Sequence, residues 1–268
     1  MAWSTDATGN PDAAAPTAAD VRAALAEVAD PARAEATARY FKTGPGEYGE
    51  GDRFIGVTTP QLRAIAKRFA ALPLDEVDAL LQSPVHEHRA CALAILVARF
   101  DRASARRTRD DSERARLARR YLDAVRAGRV DNWDLVDLSA DRILGEFLRD
   151  PGATDATTRA GLDPALLDEL AASPRLWERR VAMMSTFAFL KHGDAAPTLR
   201  LAERLLGDPH DLIHKATGWM LREAGRRVGR DTLTAFLDRH AARMPRTMLS
   251  YATEHLDPGE RARYRAMR

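Results

Sequence analysis

The chain has 268 residues, 45% hydrophobic, 30% charged and only 6% aromatic, which carries one large domain or two small ones and favours helices over strands. Its formal net charge of +2 excludes an overwhelmingly basic nucleic-acid binder, so any such role has to come from local charge. One cysteine, Cys91, excludes a disulfide framework and a cysteine metal cage, and no apolar run reaches the ~20 residues of a membrane helix.

Residues 1–17 are rich in Ala, Pro, Asp and Thr and lack the basic and apolar regions of a signal peptide. They are expected to form a disordered tail before a single helical domain over 18–268. The absence of disulfides fits a reducing, cytoplasmic setting. Helical periodicity runs over 18–42 with a break at Asp30-Pro31. Segment 43–52 holds four glycines and Pro45 and reads as a loop. It is not a phosphate-binding loop, because no Gly-Lys-Ser/Thr follows and no strand precedes it.

The next helix opens at Thr59-Pro60, with Thr59 expected as N-cap and Pro60 at the first helical position. Helices are expected over 59–70, 73–82, 86–100, 105–127, 132–148, 163–171, 174–190, 195–207, 210–226, 229–241, 245–253 and 258–266. No alternating strand pattern appears. Cys91 lies in an apolar helical run and reads as a core residue.

Three junctions look alike. Ser83-Pro84 leads to Arg89, Ser173-Pro174 to Arg180, and Asp208-Pro209 to Lys215, each followed by small and apolar residues. The last two prolines are 35 residues apart, the scale of a helix-pair repeat in which each unit buries its face on its neighbour.

Charge is distributed unevenly. Residues 173–268 hold 18 Lys+Arg against 11 Asp+Glu, and the remainder holds 23 against 28. The C-terminal third could therefore face phosphates.

Three tryptophans have charged companions at helical spacing. Trp133 and Asp137 are i and i+4, with Asp134 and Asp141 near the same stripe. Trp177 and Arg180 are i and i+3, and Lys215 and Trp219 are i and i+4. Gly218 in mid-helix costs about 1 kcal/mol against alanine, so something approaches the backbone there. By pattern alone, these features also fit capping, dipole compensation and core packing. The seven histidines form no HExxH pair, and no Gly-x-Ser-x-Gly is present, so neither a metal nor a serine nucleophile is expected.

At these segments the sequence resembles the AlkD-like DNA alkylation repair glycosylases. Trp133 to Asp137, Trp177 to Ala182 and Lys215 to Glu223 carry the resemblance. Tyr40-Phe41-Lys42, Phe54 to Val57 and Met244 to Leu249 look like flanking landmarks. The resemblance implies an all-α superhelical stack of HEAT-like antiparallel helix pairs with a concave DNA-binding face. It implies hydrolysis of the N-glycosidic bond of cationic bases such as 7-methylguanine and 3-methyladenine, without cofactor or metal, on double-stranded DNA, by a monomer of the bacterial cytoplasm and nucleoid. Asp137 matches the catalytic aspartate, and Trp133 and Trp219 match the tryptophans beside the lesioned nucleotide. Arg180 matches a phosphate-contacting arginine, with Arg179 in its place if the register is off by one. Lys215, Tyr40, Arg222 and Arg246 complete the expected DNA-binding set. A non-catalytic helical repeat that binds DNA or a protein is the competing expectation.

Overall fold

The computed structural model describes residues 15–155, 159 and 161–267. Most of the expected N-terminal tail therefore lies outside the described residues. Among those residues the fold is all-helical, and the one β feature is an isolated bridge between Arg53 and Val85. No described helix is long and apolar enough to cross a membrane. The chain forms two compact units, Met1–Ala98 and Arg99–Arg268.

The first unit contains α1 (Ala18–Ala26), α2 (Pro31–Tyr40), α3 (Thr59–Arg68), α4 (Leu74–Leu81) and most of α5 (His86–Ser104). Thr17 and Asp20 close a capping box on α1, and Asp30 caps α2 with Pro31 at its start. The capping position of α3 is Thr58, which pairs with Gln61, so the cap lies one residue before the expected Thr59. The core here includes Leu25, Leu72, Val77, Leu80 and Leu93. The Gly-rich segment is a series of turns. Asp52 ends it with a buried carboxylate that takes His86 Nδ1 and an Arg89 N–H, both at 2.7 Å. The extended stretch that follows is held by buried Glu87, whose carboxylate accepts the backbone N–H groups of Ile55, Gly56 and Val57. Cys91 is buried, as its apolar surroundings predict, and burial pushes its thiol up to about 12.

The second unit continues with α6 (Asp111–Arg126), α7 (Trp133–Ser139), a π-helical turn (Asp141–Gly145) and α8 (Glu146–Arg149). It then holds α9 (Leu166–Ala171), α10 (Leu176–Lys191), α11 (Ala196–Arg204), α12 (Asp211–Arg227), α13 (Arg230–His240), a 3-10 turn (Ala241–Arg243), α14 (Arg246–Ala252) and α15 (Pro258–Ala266). The expected helix 105–127 starts late. Helix α5 runs on to Ser104, and Asp110 caps α6 by accepting the Glu113 N–H. The expected helix 132–148 is interrupted by the π turn. There Gly145 sits so close to α10 that a Cβ would stand 2.3 Å from the Ser185 carbonyl oxygen.

Alternate helices of this unit pack side by side. Helix α10 lies against α7 and the π turn, α12 against α10, and α14 against α12, while α11 bridges α10 and α12, α9 lies on α10 and α11, and α13 lies on α12 and the 3-10 turn. This is a helical-repeat fold, and the row brings the starts of successive helices together.

Candidate functional site

The site begins at the start of α7. Asn132 is fully buried, with an extended backbone, and its side-chain oxygen accepts the Trp133 N–H at 2.9 Å. That cap fixes where the helix begins, and Trp133 and Asp137 then fall on one face. Leu135 and Val136 on the other side are buried in the core. Trp133 keeps part of its surface exposed, and the Asp137 side chain is 17% exposed.

Across from it, α10 delivers Arg180, whose side chain is 5% exposed. The guanidinium grips Asp137 as a fork, with Nε to Oδ1 at 3.0 Å and Nη2 to Oδ2 at 2.8 Å. Its remaining nitrogen donates to the Leu212 carbonyl oxygen of α12 at 2.7 Å. One arginine thus ties three helices of the row and holds a carboxylate at the surface. Burial pushes the Asp137 carboxyl above its ordinary value. The Arg180 charge pulls the other way, and neighbouring Asp134 and Asp141 add to the rise. Asp141, one turn on, is also raised by burial, and Lys191 pairs with it at 3.1 Å.

Trp219, on α12, is half-buried beside Gly218. A Cβ on Gly218 would meet the Met248 carbonyl oxygen at 2.4 Å, so the glycine admits α14 to close packing. Lys215 lies one turn before Trp219, is 40% exposed at its side chain and pairs with Asp211 at 2.8 Å. Trp177 on α10 is half-buried as well.

Other expected site residues sit differently. Arg179 donates to Asp208 at 2.6 Å and to the Ser173 and Pro174 carbonyl oxygens at 3.0 Å, so its hydrogen bonding is spent inside the chain. Arg222 is engaged by Glu254 and Glu223. Arg246 stands exposed at the start of α14. Tyr40 is 68% exposed at the end of α2, in the first unit.

The structure also sets the repeat register. Arg89, Arg179 and His214 each turn back to the carbonyl oxygen six residues earlier, at Ser83, Ser173 and Asp208. Arg89 therefore corresponds to Arg179 and His214, while Arg180 corresponds to Lys215. Sequence reasoning missed the Asp52–Arg89 and Asp208–Arg179 pairs and the Leu212 carbonyl. The shared six-residue interval was the signal available. Among the described residues no group of three His, Cys, Asp or Glu side chains could hold a metal ion.

The fold and this arrangement define a helical-repeat protein that presents an Arg–Asp pair, with the arginine buried and the carboxylate partly exposed, and two partly exposed tryptophans on the helices either side of that arginine. The family model described as DNA alkylation repair enzyme matches residues 21–256, and the chain belongs to that family. Among solved structures, it is similar to a predicted DNA alkylation repair enzyme from Enterococcus faecalis. The TM-score is 0.63 at 16% identity, covering 86% of this chain and 97% of the other. A comparison with curated proteins found no match.

Proposed function

We propose that this DNA alkylation repair enzyme is a glycosylase that hydrolyses the N-glycosidic bond of cationic alkylated bases in double-stranded DNA, with Asp137 as its catalytic carboxylate. The observation that carries the reading is the carboxylate itself. It is nearly buried, oriented at both oxygens by Arg180, raised in pKa, and set one turn from a partly exposed tryptophan.

A purine alkylated at N7 or N3 carries a positive charge, so the base leaves without a general acid. The C1′–N bond breaks, and its electron pair goes to the base, which departs neutral. Positive charge builds on the sugar, as in glycoside hydrolysis generally. The Asp137 carboxylate stabilises that charge and orients a water. The water oxygen bonds to C1′, and its proton passes to the carboxylate or to solvent, leaving an abasic sugar. A raised pKa makes Asp137 a better acceptor for that proton. Trp133 and Trp219 add cation–π stabilisation of roughly 0.5–2 kcal/mol each if their faces meet the sugar.

In this reading Arg180 acts through Asp137 as a positioning residue. Phosphate contacts fall to the more exposed Lys215 and Arg246 in the second unit and to Tyr40 in the first. Arg179 and Arg222 hold the scaffold. The test is release of 7-methylguanine and 3-methyladenine from methylated duplex. The native chain should release them, and Asp137→Asn should bind the DNA but release neither at a comparable rate. Full activity in Asp137→Asn sinks the assignment.

A further inference from the structure

We propose that Asp141 is a positioning residue for base release: held one turn behind Asp137 by Lys191, its negative charge keeps Asp137 ready to take a proton from the attacking water. The inference rests on the reading of Asp137 as the catalytic carboxylate.

Asp141 opens the π turn and is buried, so it acts through its neighbours rather than by touching DNA. In that turn the Gly145 N–H donates at 2.9 Å to the Ala140 carbonyl oxygen, five residues back. Residues five apart stand about 140° apart around an α-helix, but a π turn brings them onto one face. Asp141 and Glu146 are such a pair, and both reach one cation of α10. Lys191 Nζ lies 3.1 Å from Asp141 Oδ2 and 2.9 Å from Glu146 Oε1. Gly145 permits the arrangement by seating the turn against Ser185. Lys191 keeps Asp141 ionised against its burial. Being divided between two carboxylates, it neutralises Asp141 only in part.

Side chains one turn apart have Cβ atoms about 5–6 Å apart, and two carboxylates at that spacing disfavour each other's ionised form. The other groups around the pair do not cancel this. Arg180 of α10 is engaged by Asp137 itself, and Asp134 of α7 adds a further negative charge. Arg142, beside Asp141 in sequence, pairs with Asp101. Arg149 and His192 pair with Glu146, at 3.1 and 3.7 Å. Tyr121 of α6 faces both acids as a phenol that burial keeps neutral. The charge of Asp141 therefore opposes the pull of Arg180 and adds to the burial that raises Asp137. A carboxylate left to the full effect of Arg180 would be a weaker base towards the water. Arg180 thus orients the carboxylate, and Asp141 keeps that grip from spending its basicity.

The experiment uses the full chain, with Asp141→Asn, Asp141→Ser and Asp141→Glu, and Asp168→Asn as a control, since Asp168 pairs with Arg200 on α11. Single-turnover release of 7-methylguanine from methylated duplex is followed against pH, and the Asp137 carboxyl is titrated directly by carbon NMR. Both neutral variants should move the acid limb and the Asp137 titration to lower pH by roughly half to one unit. The plateau rate should fall roughly two- to fivefold, because a weaker base takes the proton less readily. Asp141→Glu keeps the charge and should restore most of the limb's position, and the control should move neither. DNA affinity should be unchanged throughout. Asp141→Ser removes the same charge with less bulk, so it carries the test where Asp141→Asn does not fold. A limb that stays in place or moves to higher pH in the neutral variants overturns the role. A plateau loss without any shift also overturns it and marks Asp141 as structural. Release by the native chain with an unmoved Asp137 titration removes the role of Asp141 alone, whereas absence of release removes the glycosylase reading and this role with it.

Discussion

At the scale of single residues, the Arg180–Asp137 pair decides the chemistry. Asp137→Asn keeps the side-chain shape and removes the charge, so single-turnover base release should fall roughly a hundredfold or more. Activity needs the ionised carboxylate, and burial holds its pKa above the ordinary value near 4. The acid limb of the pH–rate profile should therefore lie above that value. Arg180→Gln removes the cation that favours ionisation, so the limb should move to still higher pH as the rate drops. It also breaks a buried pair, at a cost of about 3–5 kcal/mol. Because Arg180 spends its nitrogens on Asp137 and Leu212, the salt dependence of DNA binding should barely change, and a large loss of slope would contradict this role. Asp137 was legible in the sequence mainly through family resemblance, since helical spacing left three acids on one stripe. The partnership with Arg180 spans 43 residues and lay beyond any local pattern. Spacing could show that Arg180 sits near Trp177, but only the packing of α10 on α7 shows what it grips.

At the scale of elements, turn chemistry made most helices readable, because each Ser-Pro or Asp-Pro junction both ends and starts a helix. Reading failed where packing overrode propensity. The run after Ser104 has helical composition, yet it turns so that Asp110 can cap α6. Nothing in the residues from 132 to 148 signals the π turn, which follows from the close seat of Gly145 on Ser185. Gly218 was readable as a close approach, and its neighbour proves to be α14. Gly218→Ala drives a Cβ to 2.4 Å from the Met248 carbonyl oxygen and 2.6 Å from Tyr251 Cβ, so backbone has to shift. The overpacking penalty of about 1–3 kcal/mol exceeds the ~1 kcal/mol that alanine gains in helix propensity. Gly207 has open space around its Cβ position, so Gly207→Ala should leave stability within about 0.5 kcal/mol. Urea midpoints of the two variants check the contrast, and equal midpoints would show that the α12–α14 contact is loose.

At the scale of the whole molecule, acid pH acts on the two units with a different balance of opposing effects. In the first unit, burial lowers His88 to about 4, helped by the nearby Arg22 and Arg89 charges. Its ring accepts or donates to Ser83 Oγ at 2.8 Å. A histidine with a depressed folded pKa contributes stability above its unfolded value near 6.5, and that contribution is lost as pH falls towards 4. His210 and His240 in the second unit are shifted in the same direction, also chiefly by burial. Asp52 in the first unit and Asp111, Asp150 and Glu146 in the second have lowered pKa values. Their stabilisation persists through mild acid and is lost only below the ordinary carboxylate range. Asp137 and Asp141 have the opposite sign, because their raised values favour the folded second unit as they protonate. The first unit should therefore loosen before the second between pH 6.5 and 4.5. Amide exchange should show protection falling over Leu72 to Leu96 while α10 and α12 stay protected. His88→Gln keeps a partner for Ser83 and removes the titration, so it should flatten that pH dependence. Equal loss of protection in both units, or an unchanged slope in His88→Gln, would place the acid sensitivity elsewhere. Base release should also decline as pH falls for a separate reason, the protonation of Asp137, whose pKa burial raises, and His88→Gln should not rescue it.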